Sequence, residues 1–357
     1  MVQEVNANPE LVTLARQSRK LTQSQLAKTI EVAQATISKY EAGILPVSNK
    51  DLAALSNVLD YPTHFFTRSI RVEGPGMSEL FHRKRQAIST NTLHQVYALA
   101  EIRRIEIMRL LRSSNQQEWK FPLFPIEDFD DDPEKVARTV RATWQIPPGP
   151  IFNVTKAIER AHGVVFGLDF GTRQIDGFSH RSHNMPPLFY LNQDMPPDRW
   201  RWTLAHELGH IVMHGEPPTS PKIVEDQANR FAGEFLAPSH ELKPQLLGLD
   251  YQKLAGLKLY WKISMAALVM RAYHVGAVTE RQRRTMFMRL GKAGYRLREP
   301  EVTDPPIEPP ETPYNLVQFH SNQLEYSDRE IQYLLAIGDR DFDLYYRKPG
   351  NFSLNVN

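Results

Sequence analysis

Five residues, His206-Glu207-Leu208-Gly209-His210, constrain this chain more tightly than any other stretch. Histidines four apart on a helix lie one above the other, so both imidazoles reach a common point and Glu207 lies beside it. The run continues apolar through Ile211, Val212 and Met213, which ties the polar trio to a helix with a buried face. Two surface histidines a turn apart are the plain alternative, and the apolar continuation argues against it. The chain has no cysteine. Thiolate zinc sites, disulfides, cysteine nucleophiles and iron–sulfur clusters are therefore excluded, and any metal must be held by His, Asp or Glu. Three protein ligands plus one water is the catalytic arrangement for zinc, with Glu207 placed to take the water's proton.

The third ligand is open among His214, Glu216 and Glu225. A metzincin would need Gly at 213 and His at 216, where this chain has Met213 and Glu216, so that class is out. Glu225, on the predicted helix VEDQANRFAGEFLAP, resembles the glutamate that the second helix contributes in gluzincins. In that plan Asn229, one turn further on, would support His206 from behind. Zinc is the expected ion, and manganese also suits this donor set. Tyr190, His183 and His214 are candidates for stabilising an oxyanion. The strand PLFYLNQ, residues 187–193, is expected either to offer an edge to an extended peptide or to be plain core.

At 357 residues the chain is long enough for two or three domains. Its 43 basic and 41 acidic residues leave a formal charge of +2, which excludes a strongly basic nucleic-acid coat but not local patches. The first residues lack the basic-then-apolar order of a signal peptide, and no apolar run is long enough to span a bilayer. These features predict a soluble, cytoplasmic protein.

The expected fold is multidomain: an all-α helix–turn–helix N-terminal domain, then an α+β gluzincin-like domain with a small sheet and a C-terminal helical bundle. Residues 9–66 read as short helices with apolar residues at helical spacing. A basic segment and a long connecting helix occupy 68–120. The metal-bearing core is placed at 121–250, and a helical subdomain with a helix–turn–helix rhythm at 251–298. A Pro-rich acidic linker covers 299–313, and a C-terminal tail covers 314–357.

In the N-terminal unit, TQSQLAKTIEVAQATISKYEAG has two helices joined by a tight turn. The second helix of such a pair enters the major groove with its N-terminal polar residues. Gln34, Ala35, Thr36, Ser38 and Lys39 are the candidate DNA-facing residues, with Gln23, Gln25 and Lys20 near phosphates.

Two resemblances follow from these residues. Residues 11–66 resemble the Cro/cI-type (XRE) helix–turn–helix domain, through Thr22, Gln23, Leu26, Ala27, Val32, Thr36, Ile37, Ser38, Glu41 and Gly43. Ala33 stands where that pattern usually has a capping Ser or Thr. Residues 136–290 resemble the ImmA/IrrE metallopeptidase family, through PPGPIFNVTKAIERAHGVVF, DGFSH, RWTLAHELGHIVMH, VEDQANRFAGEFLAP and WKISMAALVMRAYHVGAV. This resemblance implies His206, His210 and Glu225 as ligands and Glu207 as base. It also implies a protein substrate of the helix–turn–helix repressor class, cut to relieve repression in stress responses or mobile-element induction. Fusions of this kind look like transcriptional regulators, some in toxin–antitoxin-like loci; one helix–turn–helix unit should bind operator double-stranded DNA modestly, so a homodimer is expected. The competing expectation is a non-proteolytic regulator or antitoxin that uses the metal-bearing domain only to hold a partner.

Overall fold

The computed structural model describes residues 4–73, 88–114, 121–182, 184–214, 220–296 and 298–348. The N-terminal unit is all helical apart from a short ladder pairing β1 (Glu4–Val5) with β2 (Val47–Ser48). Its helices are α1 (Pro9–Ser18), α2 (Gln23–Thr29), α3 (Gln34–Glu41), α4 (Asn49–Leu59) and α5 (Thr63–Phe66). Local chemistry sets their starts. The side chain of Asn8 accepts from the Glu10 amide, Thr22 and Gln25 form a reciprocal capping box, and Ser48 accepts from Asp51. The apolar faces meet in a core containing Leu11, Leu26, Ile37, Leu55 and Phe66.

The long connecting helix, α6 (Thr90–Ser113), is buried on nearly every side. Ala98, Ile102 and Ile105 enter the core of the N-terminal unit, while Val96, Leu99, Ile107 and Leu110 enter a second core. Two of its buried arginines are neutralised along the helix, Arg103 by Glu106 and Arg104 by Glu101. The basic run around residues 81–86 lies outside the described residues.

The α+β region holds an open three-stranded sheet of β3 (Val164–Leu168), β4 (Gly177–His180) and β5 (Leu188–Asn192), in the order β3-β5-β4. β5 runs parallel to β3 (Val164 opposite Leu188) and antiparallel to β4 (Gly177 opposite Leu191). Of the two expectations for residues 187–193, the plain core strand holds: β5 is the central strand, and β4 is an edge. Alternation along β5 assigns its two faces. Phe189 and Leu191 join the core under α9 (Pro197–Met213), whereas Leu188 and Tyr190 face α6.

Helix α9 is packed by α7 (Pro133–Thr143), α8 (Val154–Arg160) and α10 (Pro221–Leu236). Gly209 permits the closest approach: a Cβ there would sit 3.0 Å from the Phe231 ring on α10. Helices α11 (Tyr251–Trp261), α12 (Met265–His274) and α13 (Glu280–Lys292) extend the same core.

The stretch 299–313 is docked rather than a free linker. Glu308 is buried, pairs with Arg201, and accepts the amides of Val154 and Thr155 at the start of α8. Helices α14 (Thr312–Gln323), α15 (Asp328–Leu335) and α16 (Asp339–Tyr346) then pack on α6 and β3. Asp341 accepts from Arg19 of the N-terminal unit at 3.1 Å and lies 3.6 Å from Arg103 of α6. No helix among the described residues is long and apolar enough to cross a membrane.

Candidate metal centre

Helix α9 presents His206 and His210 on one face, and α10 crosses it to bring Glu225 opposite. The Nε2 atoms of the two histidines are 3.0 Å apart. Glu225 Oε2 lies 3.5 Å from His206 Nε2, and its Oε1 lies 3.4 Å from His210 Nε2. Two imidazole nitrogens and a carboxylate oxygen turned to one point, all in a largely buried setting, form a donor set suited to a divalent, zinc-type ion.

The electrostatics agree. Burial opposes the Glu225 charge, but hydrogen bonds and charge from His206 and His210 outweigh it and hold its carboxyl down at about 2. Burial also opposes charge on His206, and here Glu225, Glu207 and the Asn229 side chain prevail, raising its pKa above the ordinary value. Asn229 thus supports His206, and its amide also donates to the Glu225 carbonyl at 2.8 Å.

Glu207 is buried, and Ser179 on β4 donates a 2.8 Å hydrogen bond to its Oε2. That bond leaves the other carboxylate oxygen to receive a proton. Ser179 lies within DGFSH, but no motif spacing singles it out. Only the pairing of β4 beside α9 shows which of its alternating side chains faces Glu207.

The oxyanion candidates fare differently. Tyr190 is not at the site: it points to the opposite face of the sheet and donates to the Ala100 carbonyl at 2.9 Å in the core against α6. His214 is neither third ligand nor oxyanion donor, since both its ring nitrogens are engaged behind His210. Its Nδ1 is 3.3 Å from His210 Nδ1 and its Nε2 is 3.1 Å from Gln227 Oε1. With Gln227 accepting from Nε2–H, His214 Nδ1 is left to accept from His210 Nδ1–H, which fixes the His210 ring with its Nε2 turned toward Glu225. Burial, then the neighbouring His210, push His214 down to about 4, in keeping with this neutral form. Gln227 has no motif signal that would have flagged it. His183 and Glu216 lie outside the described residues.

In the N-terminal unit, Gln34, Ala35 and Lys39 are exposed on α3, with Thr36 and Ser38 half-buried beside them. Gln34 donates to Gln23 at 2.7 Å, and Gln23 donates to Glu41 at 2.7 Å, which is itself gripped by Arg16. The polar face of α3 is thereby tied to α2. Gln25 serves the cap of α2, its side chain accepting from the Thr22 amide at 2.8 Å. Ala33 begins α3 with no side-chain cap.

Fold and site together define a helix–turn–helix unit joined to a zinc-peptidase-like domain whose buried His-Glu-x-x-His and distant Glu form a gluzincin-like metalloprotease site. The comparisons agree: residues 13–66 match the helix-turn-helix family model, and residues 159–273 match the IrrE N-terminal-like domain. No curated protein matches the chain.

Proposed function

We propose that this protein is a DNA-binding transcriptional regulator whose zinc-dependent endopeptidase domain cleaves a repressor- or antitoxin-type partner protein. The observation that carries the reading is the convergence of His206, His210 and Glu225 beside a Glu207 already oriented by Ser179, in the same chain as an exposed recognition helix. Zinc is favoured over manganese by the two imidazoles and single carboxylate in a compact site. When bound, such an ion supplies Lewis acidity toward a peptide carbonyl and the water that attacks it. Glu207 accepts the proton of that water and returns it to the departing amine. An extended substrate strand adds to the edge of β4, which places its backbone beside Ser179 and Glu207.

The α3 surface reads operator DNA, with Gln34, Ser38 and Lys39 at base edges and Gln23 fixing Gln34 from behind. A single such unit binds weakly, so a homodimer on a two-fold operator in the cytoplasm is the working form. The test pairs the zinc-loaded protein and its Glu207→Gln variant with repressor proteins encoded nearby. Cleavage should fall by about 10²–10⁴-fold while zinc content and operator binding stay unchanged. A partner that is bound equally well by both and cut by neither would replace the peptidase reading with a purely binding one.

A further inference from the structure

A cavity of about 520 Å³ lies where the N-terminal unit, α6 and the C-terminal helices meet. Arg68 comes from the end of the N-terminal unit, Arg109 from α6 and Arg329 from α15, so three guanidinium groups from three parts of the chain line one space. Among the described residues none of them is ion-paired. Arg68 donates to the carbonyls of Leu334 and Tyr333, and Arg109 donates to the Leu335 carbonyl at 2.7 Å. The carboxylate at the rim, Glu330, is committed to the cap of α15, accepting from the Ser327 amide at 2.8 Å and its hydroxyl at 2.7 Å.

Arg109 is 9% exposed, so its charge is held in poor contact with water. Burial and then the nearby Arg68 push its pKa down to about 9, outweighing the opposite pull of Glu106 on the same helix. His64, also at this junction, is pushed down by burial and by both Arg68 and Arg109. Arg109 is buried, Arg68 is half-buried and Arg329 is exposed at the mouth, so the inner cation of the three is the one that gains most from an anion in the space.

We propose that this cavity binds a small phosphate-bearing anion. Arginine forks match phosphate oxygens in paired hydrogen bonds, and a phosphate group with charge near −2 answers three guanidiniums better than one carboxylate does. The volume is in the range of small-molecule sites, larger than a bare phosphate needs. Tyr326 and Tyr333 supply aromatic walls for a ring attached to it, and the Tyr333 ring already stacks on His64 at 4.2 Å. Occupancy would bridge the N-terminal unit to the C-terminal helices, because each contributes an arginine.

The test is calorimetry and thermal unfolding of the full chain with inorganic phosphate in one arm and AMP in the other, against sodium chloride at matched ionic strength. Saturable binding with Kd between about 10 μM and 1 mM, and a rise in Tm, is expected. AMP binding more tightly would identify a phosphomonoester carrying a ring, and equal binding a free oxoanion. Arg329→Gln removes an exposed cation with no ion pair, so the fold should survive while affinity drops about tenfold. Arg109→Lys, which keeps the charge and loses the fork, should do the same. The proposal is overturned by no heat at about 10 mM of either ligand, by a Tm shift that sodium chloride reproduces, or by variants that bind like wild type.

Discussion

Helices α9 and α3 carry the two sites of this molecule and are built on opposite terms. On α9 the functional groups are inside, with His206 and His210 each 8% exposed and Glu207 1% exposed. Their partners, Glu225, Asn229 and Ser179, come from the same chain. On α3 the groups proposed to read DNA are exposed or half-buried, and only Ile37 and Tyr40 are buried. A buried polar site must be completed internally, so its chemistry is written into residue types and spacing. A surface site is completed by its partner, and its residues specify far less by themselves.

The sharpest way to break this contrast is to remove a ligand. Glu225→Ala or His206→Ala should take bound zinc from about one equivalent to none retained through dialysis, read by elemental analysis. Operator binding, read by a mobility shift, should not change. Loss of DNA binding in both variants would show the two sites to be one cooperative unit.

Their physical connection can be titrated. Asp341 takes Arg19 from the N-terminal unit and Arg103 from α6, and its side chain is 3% exposed. Burial opposes its charge, but the two arginines outweigh it and hold its pKa below the ordinary value. A depressed carboxylate contributes stability that is fully present above its unfolded pKa, about 3.9, and is lost as pH falls through the lower folded value. At pH 6, Asp341→Asn should therefore be less stable by about 3 kcal/mol. The gap should begin to narrow as unfolding is followed below about pH 4, and a gap that ignored pH would show that the carboxylate's charge is not what joins the units.

Next in size are the groups behind the ligands. Asn229→Ala and His214→Ala should each weaken zinc binding by about 10–100-fold without abolishing it, measured by competition with a chelating dye. Equal loss in the two would show that both histidine ligands depend on being oriented. An effect from Asn229 alone would reduce His214 to packing.

How much of this was legible follows the same division. The trio on α9 and the short helices of the N-terminal unit were readable, because each rests on contacts only a few residues apart. Tyr190 was misplaced because the strand alternates and the sequence does not say which face meets α9. The central position of β5 was hidden for a related reason, since strand order depends on non-local pairing. Residues 299–313 look like a spacer by composition, yet Glu308 is buried on Arg201, a contact between residues 107 positions apart. The burial of α6 on nearly all sides depends on partners at both ends of the chain.

The smallest expected effect tests the surface half of the contrast directly. Helix α3 starts at Ala33 with φ −70° and ψ 144°, extended geometry suited to a capping side chain, but no side-chain oxygen is there to accept its free amides. Ala33→Ser should stabilise the N-terminal unit by about 1 kcal/mol, raising Tm in thermal unfolding. Because Ala33 is exposed beside the proposed DNA-facing residues, the same change also adds a hydroxyl near the groove. If stability rises and operator affinity does not, the uncapped start of α3 leaves room for DNA. If both rise, α3 frays in the free protein and part of the binding energy goes into ordering it, a cost the enclosed helix α9 does not carry.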